Sequence, residues 1–311
     1  MAFAYPKLTK EQEDNVLKDI GYSRQQLEND KLALREWLNE QAHFPPCSKK
    51  ECDAFLVNYL VGCKGSLEKV KRKLDFYYSM RGHDELFTNR GTLDYVKSAE
   101  KFQYVTVMPR PTPDGYIAFQ IGLRIYDVDK YVMIDAIKRV LLVSEWVLRQ
   151  GTGITRGVIY LLDGKGFSAA HSMQLTLPKI KTLVAWLTQA CPARPKRFVV
   201  INVDSFLESI VNTLIMPLLS EKLKQRAVFT RDGNFTKYID GVEFRPTSDG
   251  EEESEIVTLA KECTKRLTAD IKDVLPTLDE TTDESKRPKL HGYTNNPHFG
   301  AFGSIKHLVT D

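Results

Sequence analysis

No run in this 311-residue chain reaches the roughly 20 uncharged apolar residues that a membrane-spanning helix needs, so a helical integral membrane protein is not expected. The segment Met1 to Pro6 meets Glu11, Glu13 and Asp14 before any apolar run develops; it does not read as a secretory signal and points to the cytoplasm. Net charge is nearly absent too. Forty-four Lys+Arg against 41 Asp+Glu leave +3, too balanced to imply a nucleic-acid partner. The five cysteines, at 47, 52, 63, 191 and 263, are an odd and scattered set that suits reduced thiols better than a disulfide framework. The six histidines never fall at ligand spacing on a helix, so no metal is expected. Also missing are Gly-x-Ser-x-Gly, His-Glu-x-x-His, a phosphate loop ending in Gly-Lys-Ser/Thr, and Cys-x-x-Cys. Gly151, Gly153 and Gly157 superficially match a dinucleotide loop, but they follow a helix and precede a strand, the reverse of the order that puts phosphate on a helix N-terminus. They read as a helix stop with a flexible connector. No enzyme and no cofactor are expected.

What is present is enough apolar residue, 42%, for a real core. Residues 8 to about 88 read as helices. Thr9 with Gln12 makes a capping box, and Leu34, Trp37 and Leu38, then Phe55, Leu56, Tyr59 and Leu60, recur at helical spacing. Pro45-Pro46 separates the two groups, and a third helix runs from Ser66 through Tyr78. After about residue 100 the pattern changes. Tyr104 to Met108 and Tyr116 to Gly122 flank the turn-rich 111 to 115, a hairpin-like pair. Val158 to Leu162 and Phe198 to Ile201 are short apolar runs of the kind buried on both faces of a mixed or parallel sheet. Helices at about 129 to 150, 176 to 190 and 205 to 219 alternate with them, so the fold class is α/β. The acids Asp249, Glu251, Glu252, Glu253 and Glu255 open a further helix to about Asp273, and the polar, proline-interrupted 276 to 297 read as a mobile or surface-hugging tail.

The helices of the α/β part carry more apolar surface than one sheet face can cover. Val140 to Leu148 is apolar nearly all round, and Phe206, Leu207, Ile210, Val211, Leu214, Ile215 and Leu218 form a wide stripe. Ordinary packing against the N-terminal helices is one account; a bound apolar ligand or a lipid surface is the other. Arg194, Lys196 and Arg197 precede the stripe and Lys222, Lys224 and Arg226 follow it. Each cation near anionic lipid adds on the order of 1 kcal/mol, so this arrangement suits transient membrane contact, while solubility and helix-end capping would use the same residues.

These residues carry a family resemblance. From Asp53 through Lys69, Tyr126 to Lys130, Leu162 to Ser168 with His171, Pro192 to Lys196, Ile201-Asn202 and Pro217 to Arg226, the chain resembles the CRAL-TRIO lipid-transfer family. It is most similar to the branch of tocopherol transfer protein, cellular retinaldehyde-binding protein and clavesins, and to insect members of it. The ending Phe299 to Lys306 is similar to insect tails. The resemblance implies an N-terminal helical domain over 1–90, a lipid-binding domain over 91–245 with a mixed-sheet floor, flanking helices and a mobile gate helix at about 205 to 219, and a C-terminal helix and extended tail over 246–311. By motif position Ile137, Val140, Ser144, Val158, Leu162, Trp186, Leu187, Cys191 and Phe198 line the cavity, where Ser144 would meet a lone polar head group. The resemblance also implies a cleft for phosphatidylinositol bisphosphate built from Arg194, Lys196, Lys222 and Arg226. The sequence departs from the family at Val61, where an arginine is usual, and at Val242 to Pro246.

The expected function is binding and transfer of a small apolar lipid, retinoid- or tocopherol-like, by a cytoplasmic monomer that meets anionic membranes transiently. A regulatory or adaptor protein with a vestigial cavity is the alternative, its acidic 249 to 255 segment and tail recruiting proteins.

Overall fold

The computed structural model describes residues 3–46, 50–82, 84–90, 92, 94–150, 153–239 and 255–288. The expectations for Val242 to Pro246, for the acids from 249 to 253 and for the ending from 299 to 306 lie outside the described residues.

Four helices come first: α1 (Lys10–Asp19), α2 (Arg24–Glu40), α3 (Lys50–Gly62) and α4 (Leu67–Arg81). Thr9 with Gln12, and Ser23 with Gln26, close reciprocal capping boxes at the starts of α1 and α2, satisfying amides that a helix start leaves open. A short helix absent from the sequence expectation, α5 (Asp94–Phe102), leads into β1 (Gln103–Val107). Its nine residues include two lysines and two acids, so only Tyr95, Val96 and Ala99 mark a buried face.

The sheet continues through β2 (Tyr116–Leu123), β3 (Gly157–Asp163), β4 (Pro195–Ile201) and β5 (Ala227–Phe229), in that spatial order. β1 and β2 pair antiparallel around the 112 to 115 turn, and the rest are parallel. Crossovers are supplied by α6 (Met133–Gln150) before β3, by α7 (Ala169–Met173) and α8 (Leu177–Ala185) before β4, and by α9 (Ser205–Ile210) and α10 (Glu221–Lys224) before β5. The last helix, α11 (Glu255–Leu278), packs beside β1.

Both faces of the sheet are covered, as apolar runs without alternation require. Val158, Tyr160 and Phe198 face the helices α3, α4, α6 and α8 in the main core. Ile159, Leu161, Val199 and Ile201 face the opposite side, under Phe235 and Ile239. Tyr160 stacks between Phe119 and Phe198 at centroid distances of 5.4 and 5.5 Å, a ring from each of three adjacent strands. The helical layer is tied on by buried polar bonds: Tyr59 Oη donates to the Ala190 carbonyl at 2.6 Å and Asn58 Nδ2 to the Leu148 carbonyl at 3.0 Å.

Two expected helices change character before they end. Past α8, residues 186–190 widen into a π-helical turn, and past α9 the run goes π over 211–215 and 3₁₀ over 216–218. The expected single helix from 205 to 219 is therefore three short segments. Pro217 supplies no amide, so the run cannot continue as α through it. The cysteine expectation also needs correcting: Cys63, Cys191 and Cys263 are buried free thiols, but Cys52 is disulfide-bonded. Scatter along a sequence argues against a disulfide framework; it does not exclude a single bond.

Candidate functional site: an apolar wall beside a cationic cleft

α6 is anchored by charge. Glu145, 1% exposed, accepts from Arg81 Nη1 at 3.1 Å and from Arg90 Nη1 and Nη2 at 3.3 and 3.2 Å. Burial alone would raise its pKa; the adjacent Arg81 and Arg90 guanidinium groups instead hold the carboxyl down to about 2. Arg81 also donates to the Thr277 and Leu278 carbonyls at the end of α11. Glu145 is committed to holding α4, α6 and α11 together.

One turn away the same helix presents an apolar face. Ile134, Ile137 and Val140 on α6, Leu183 on α8, Leu187 in the π turn, Leu162 on β3 and Phe198 on β4 all touch the main core yet remain half-exposed. Of the nine residues expected to line a cavity, five are of this kind. The other four lie deeper: Val158, Trp186, Cys191 and Ser144 are buried. The Ser144 hydroxyl donates to the Val140 carbonyl at 2.8 Å, one helical turn back. Beside Ser144 and Cys191 stands the buried Tyr160 hydroxyl, a group that periodicity cannot single out.

The run from 205 to 218 has the complementary property. Val211 is buried, Phe206 is 43% exposed, and Leu207, Ile210, Leu214, Ile215 and Leu218 lie between. Among the described residues, none of these side chains joins a hydrophobic cluster of the fold. An apolar run of this size outside every such cluster is unusual in a globular domain. The run starts from a polar crevice of about 1100 Å³ at the carboxyl ends of β3 and β4. The acids of that crevice are engaged: Asp204 caps Leu207 N at 2.7 Å, and Asp163 accepts from Asn202 Nδ2 at 2.8 Å. Asp232 accepts from Lys237 Nζ at 2.5 Å.

At the opposite, amino end of the parallel strands lies a smaller cleft of about 210 Å³ lined by Lys64, Arg156, Arg194, Lys196 and Arg226, with Val61, Tyr116, Val16, Ile20 and Asp19. Three expected cations, Arg194, Lys196 and Arg226, meet here. The fourth, Lys222 on α10, is close enough that Arg226 above all, and also Arg194 and Lys64, depress its ammonium pKa. Backbone geometry makes the meeting possible. A Cβ on Gly157, at φ +146°, would collide with the Arg194 carbonyl oxygen, and one on Gly62 would lie 2.9 Å from the Pro192 oxygen. The pairing of β3 with β4 slips at Lys196: Val158 pairs with Pro195 and Ile159 with Arg197, so Lys196 is a bulge residue with no partner on β3. Its Nζ stands 5.4 Å from the Tyr116 ring centroid. Arg226 Nη1 donates to the Pro195 carbonyl at 2.8 Å, closing the cleft beside β5. Lys64 lies within the helical motif quoted above, whereas Arg156 and Asp19 carry no sequence signal that they belong to a site.

Comparison with known proteins gives two family matches. The CRAL/TRIO domain model matches residues 101–244, and the model described as Pinta-like, UBA domain matches 23–94, within the helical region. Over 198 residues the chain is 25% identical to proteins named alpha-tocopherol transfer protein-like from Homo sapiens, Pongo abelii and Mus musculus. That match covers 63% of this chain and 57% of the relatives, so it spans little more than half of their length. A solved structure described as "Crystal structure of Sfh5" superposes with a TM-score of 0.46 at 12% identity, covering 86% of this chain and 99% of that one.

Proposed function

We propose that this chain, whose residues 101–244 match the CRAL/TRIO domain model, is a lipid-binding and transfer protein of that family and carries a small apolar lipid between the half-exposed wall and the run from 205 to 218. The observation that carries the reading is the apolar run that belongs to no hydrophobic cluster among the described residues, on the crossover that leaves β4, the strand carrying Phe198 of the wall. Covering seven half-exposed apolar side chains at roughly 1 kcal/mol each gives about 7 kcal/mol, the scale of micromolar binding. The ligand is a tocopherol- or retinoid-like molecule with few polar atoms, since the buried polar groups beside the wall are few: the Ser144, Tyr160 and Cys191 side chains.

Docking belongs to the cleft. Four or five cations within reach of one another repel, and an anionic head group relieves that repulsion. α10, which carries Lys222, is separated by two residues from the 3₁₀ turn that ends the apolar run. Contact of a phosphoinositide with Lys222 and Arg226 would therefore act on the lid at its carboxyl end. In this reading the protein binds its ligand without chemistry, and the buried Glu145 serves the scaffold, paired with two arginines. The test is extraction of fluorescent tocopherol or retinoid from vesicles by the recombinant full chain. Uptake that saturates at one ligand per chain is expected. Absence of uptake across a panel of apolar ligands would refute the carrier reading and favour an adaptor role.

A further inference from the structure

The cleft contains an arginine that the likeness to other proteins does not assign. Position 61, where the family pattern puts a guanidinium, is Val61, and Val61 does line the cleft. A guanidinium arrives instead from the other side. Arg156 sits at the last position before β3; its amide donates to the Gly115 carbonyl at 3.0 Å, and Gly157 beside it lets the Arg194 backbone approach. Arg156 and Arg194 thus flank one close backbone contact.

Arg156 is not idle. It pairs with Asp19, the last residue of α1 and the single carboxylate among the residues lining the cleft. The helix does not hold Asp19 there, because a negative charge at a helix C-terminus opposes the macrodipole. Both side chains keep solvent contact, 29% for Arg156 and 52% for Asp19, so the pair is weak and exchangeable. A phosphate offers more charge than a carboxylate and three acceptor oxygens, and arginine matches them in bidentate fashion. With five lining cations against one acid, the cleft has an unmet demand for anions that Asp19 fills only in part.

We propose that Arg156 is a phosphate-contacting residue of this cleft, taking the part of the arginine absent at 61, and that Asp19 is its internal counter-ion, displaced when a phosphorylated lipid head group enters. This rests on the docking reading above. The head group's approach would then release the end of α1 from Arg156 at the entry to β3.

The experiment is sedimentation of the full chain with phosphatidylcholine vesicles carrying either phosphatidylinositol 4,5-bisphosphate or phosphatidylserine at matched total charge, with titration of free inositol 1,4,5-trisphosphate as a second arm. Arg156→Gln should weaken binding to bisphosphate vesicles about fivefold, the equivalent of one surface cation, and leave phosphatidylserine binding nearly unchanged. Asp19→Asn should tighten it by a similar factor. Adding Val61→Arg to Arg156→Gln should restore binding, which no purely structural role for the Asp19 and Arg156 pair would produce; thermal melts check that each variant is folded. Wild-type binding by Arg156→Gln, while Lys222→Ala with Arg226→Ala loses it, would overturn the Arg156 assignment and leave the cleft standing. Weaker binding by Asp19→Asn would overturn the counter-ion role. A wild-type protein that does not distinguish the two vesicles, or that binds only the free trisphosphate, would overturn the docking reading and this one with it.

Discussion

Replacing Glu145 with glutamine tests whether the buried charge cluster is scaffold or chemistry. The substitution keeps shape and one acceptor oxygen while removing the charge. Arg81 would retain Tyr77 and the two carbonyls at the end of α11. Arg90, fully buried, would keep Tyr95 and the face of Phe87, 5.7 Å from its guanidinium carbon. Breaking a buried pair by removing one partner costs about 3–5 kcal/mol, and because glutamine still accepts one hydrogen bond the expected loss is near about 3 kcal/mol. With an m-value of about 3 kcal/mol per molar in urea, the midpoint should fall by about 1 M. The carboxyl adds a pH signature. Its folded pKa is depressed from 4.5 to about 2, so its contribution is full above the unfolded value and disappears as pH falls from 4.5 toward 2. Wild-type stability should therefore drop across that window, while Glu145→Gln shows a flatter slope. Lipid uptake at neutral pH should survive in the folded variant. A midpoint shift below about 0.3 M, or selective loss of uptake without loss of stability, would refute the structural assignment.

The cleft and the wall yield further outcomes. Gly157→Ala forces a Cβ into the Arg194 carbonyl at a positive φ and should cost more than the about 1–3 kcal/mol of backbone strain alone, read by calorimetry. Lys222→Ala with Arg226→Ala should lower binding to phosphoinositide vesicles with lipid capacity intact, and the wild-type difference should shrink as salt rises; equal binding would remove these residues from docking. Deleting Lys196, the unpaired bulge residue, should leave the register of β3 with β4 continuous and the melting temperature nearly unchanged, while vesicle binding falls. Trp186→Ala removes a buried indole from the end of the wall and should cost about 3–5 kcal/mol, partly recovered on adding a longer-tailed probe, in a thermal-shift series.

Layer architecture was legible in the sequence because it follows from burial. Strands covered on both sides must be apolar at consecutive positions, and Val158 to Leu162 shows this directly. β5 was not legible, since Ala227-Val228-Phe229 is too short to show any period and pairs only because β4 is already in place. Nor were the π turns, whose change in hydrogen bonding leaves side-chain spacing almost helical. The site divides the same way. Apolar positions such as Ile137, Leu162 and Phe198 follow from the pattern, whereas the partners of Glu145, Arg81 and Arg90, are brought from other chain segments. Arg156 and Asp19 are 137 positions apart by their numbering and meet only through the fold.

The bulge in β4 shows why wall and cleft do not interfere. A regular strand alternates faces at every residue, so a shift of one position would send Phe198 to the side of Phe235 and Ile239. The slip at Lys196 absorbs one residue before Phe198, which keeps Phe198 in register with Tyr160 and on the helical side, while Arg197 turns to the other face and donates to the Tyr238 carbonyl. One seven-residue strand can then offer a cation to solvent at its start and an aromatic ring to the wall two residues later. Tyr160, stacked between Phe119 and Phe198, lies on the helical side of the sheet, while Arg194, Lys196 and Arg226 gather at the amino end of its parallel strands. The proposed coupling between lid and cleft would then run through α10, which is separated by two residues from the apolar run and carries Lys222.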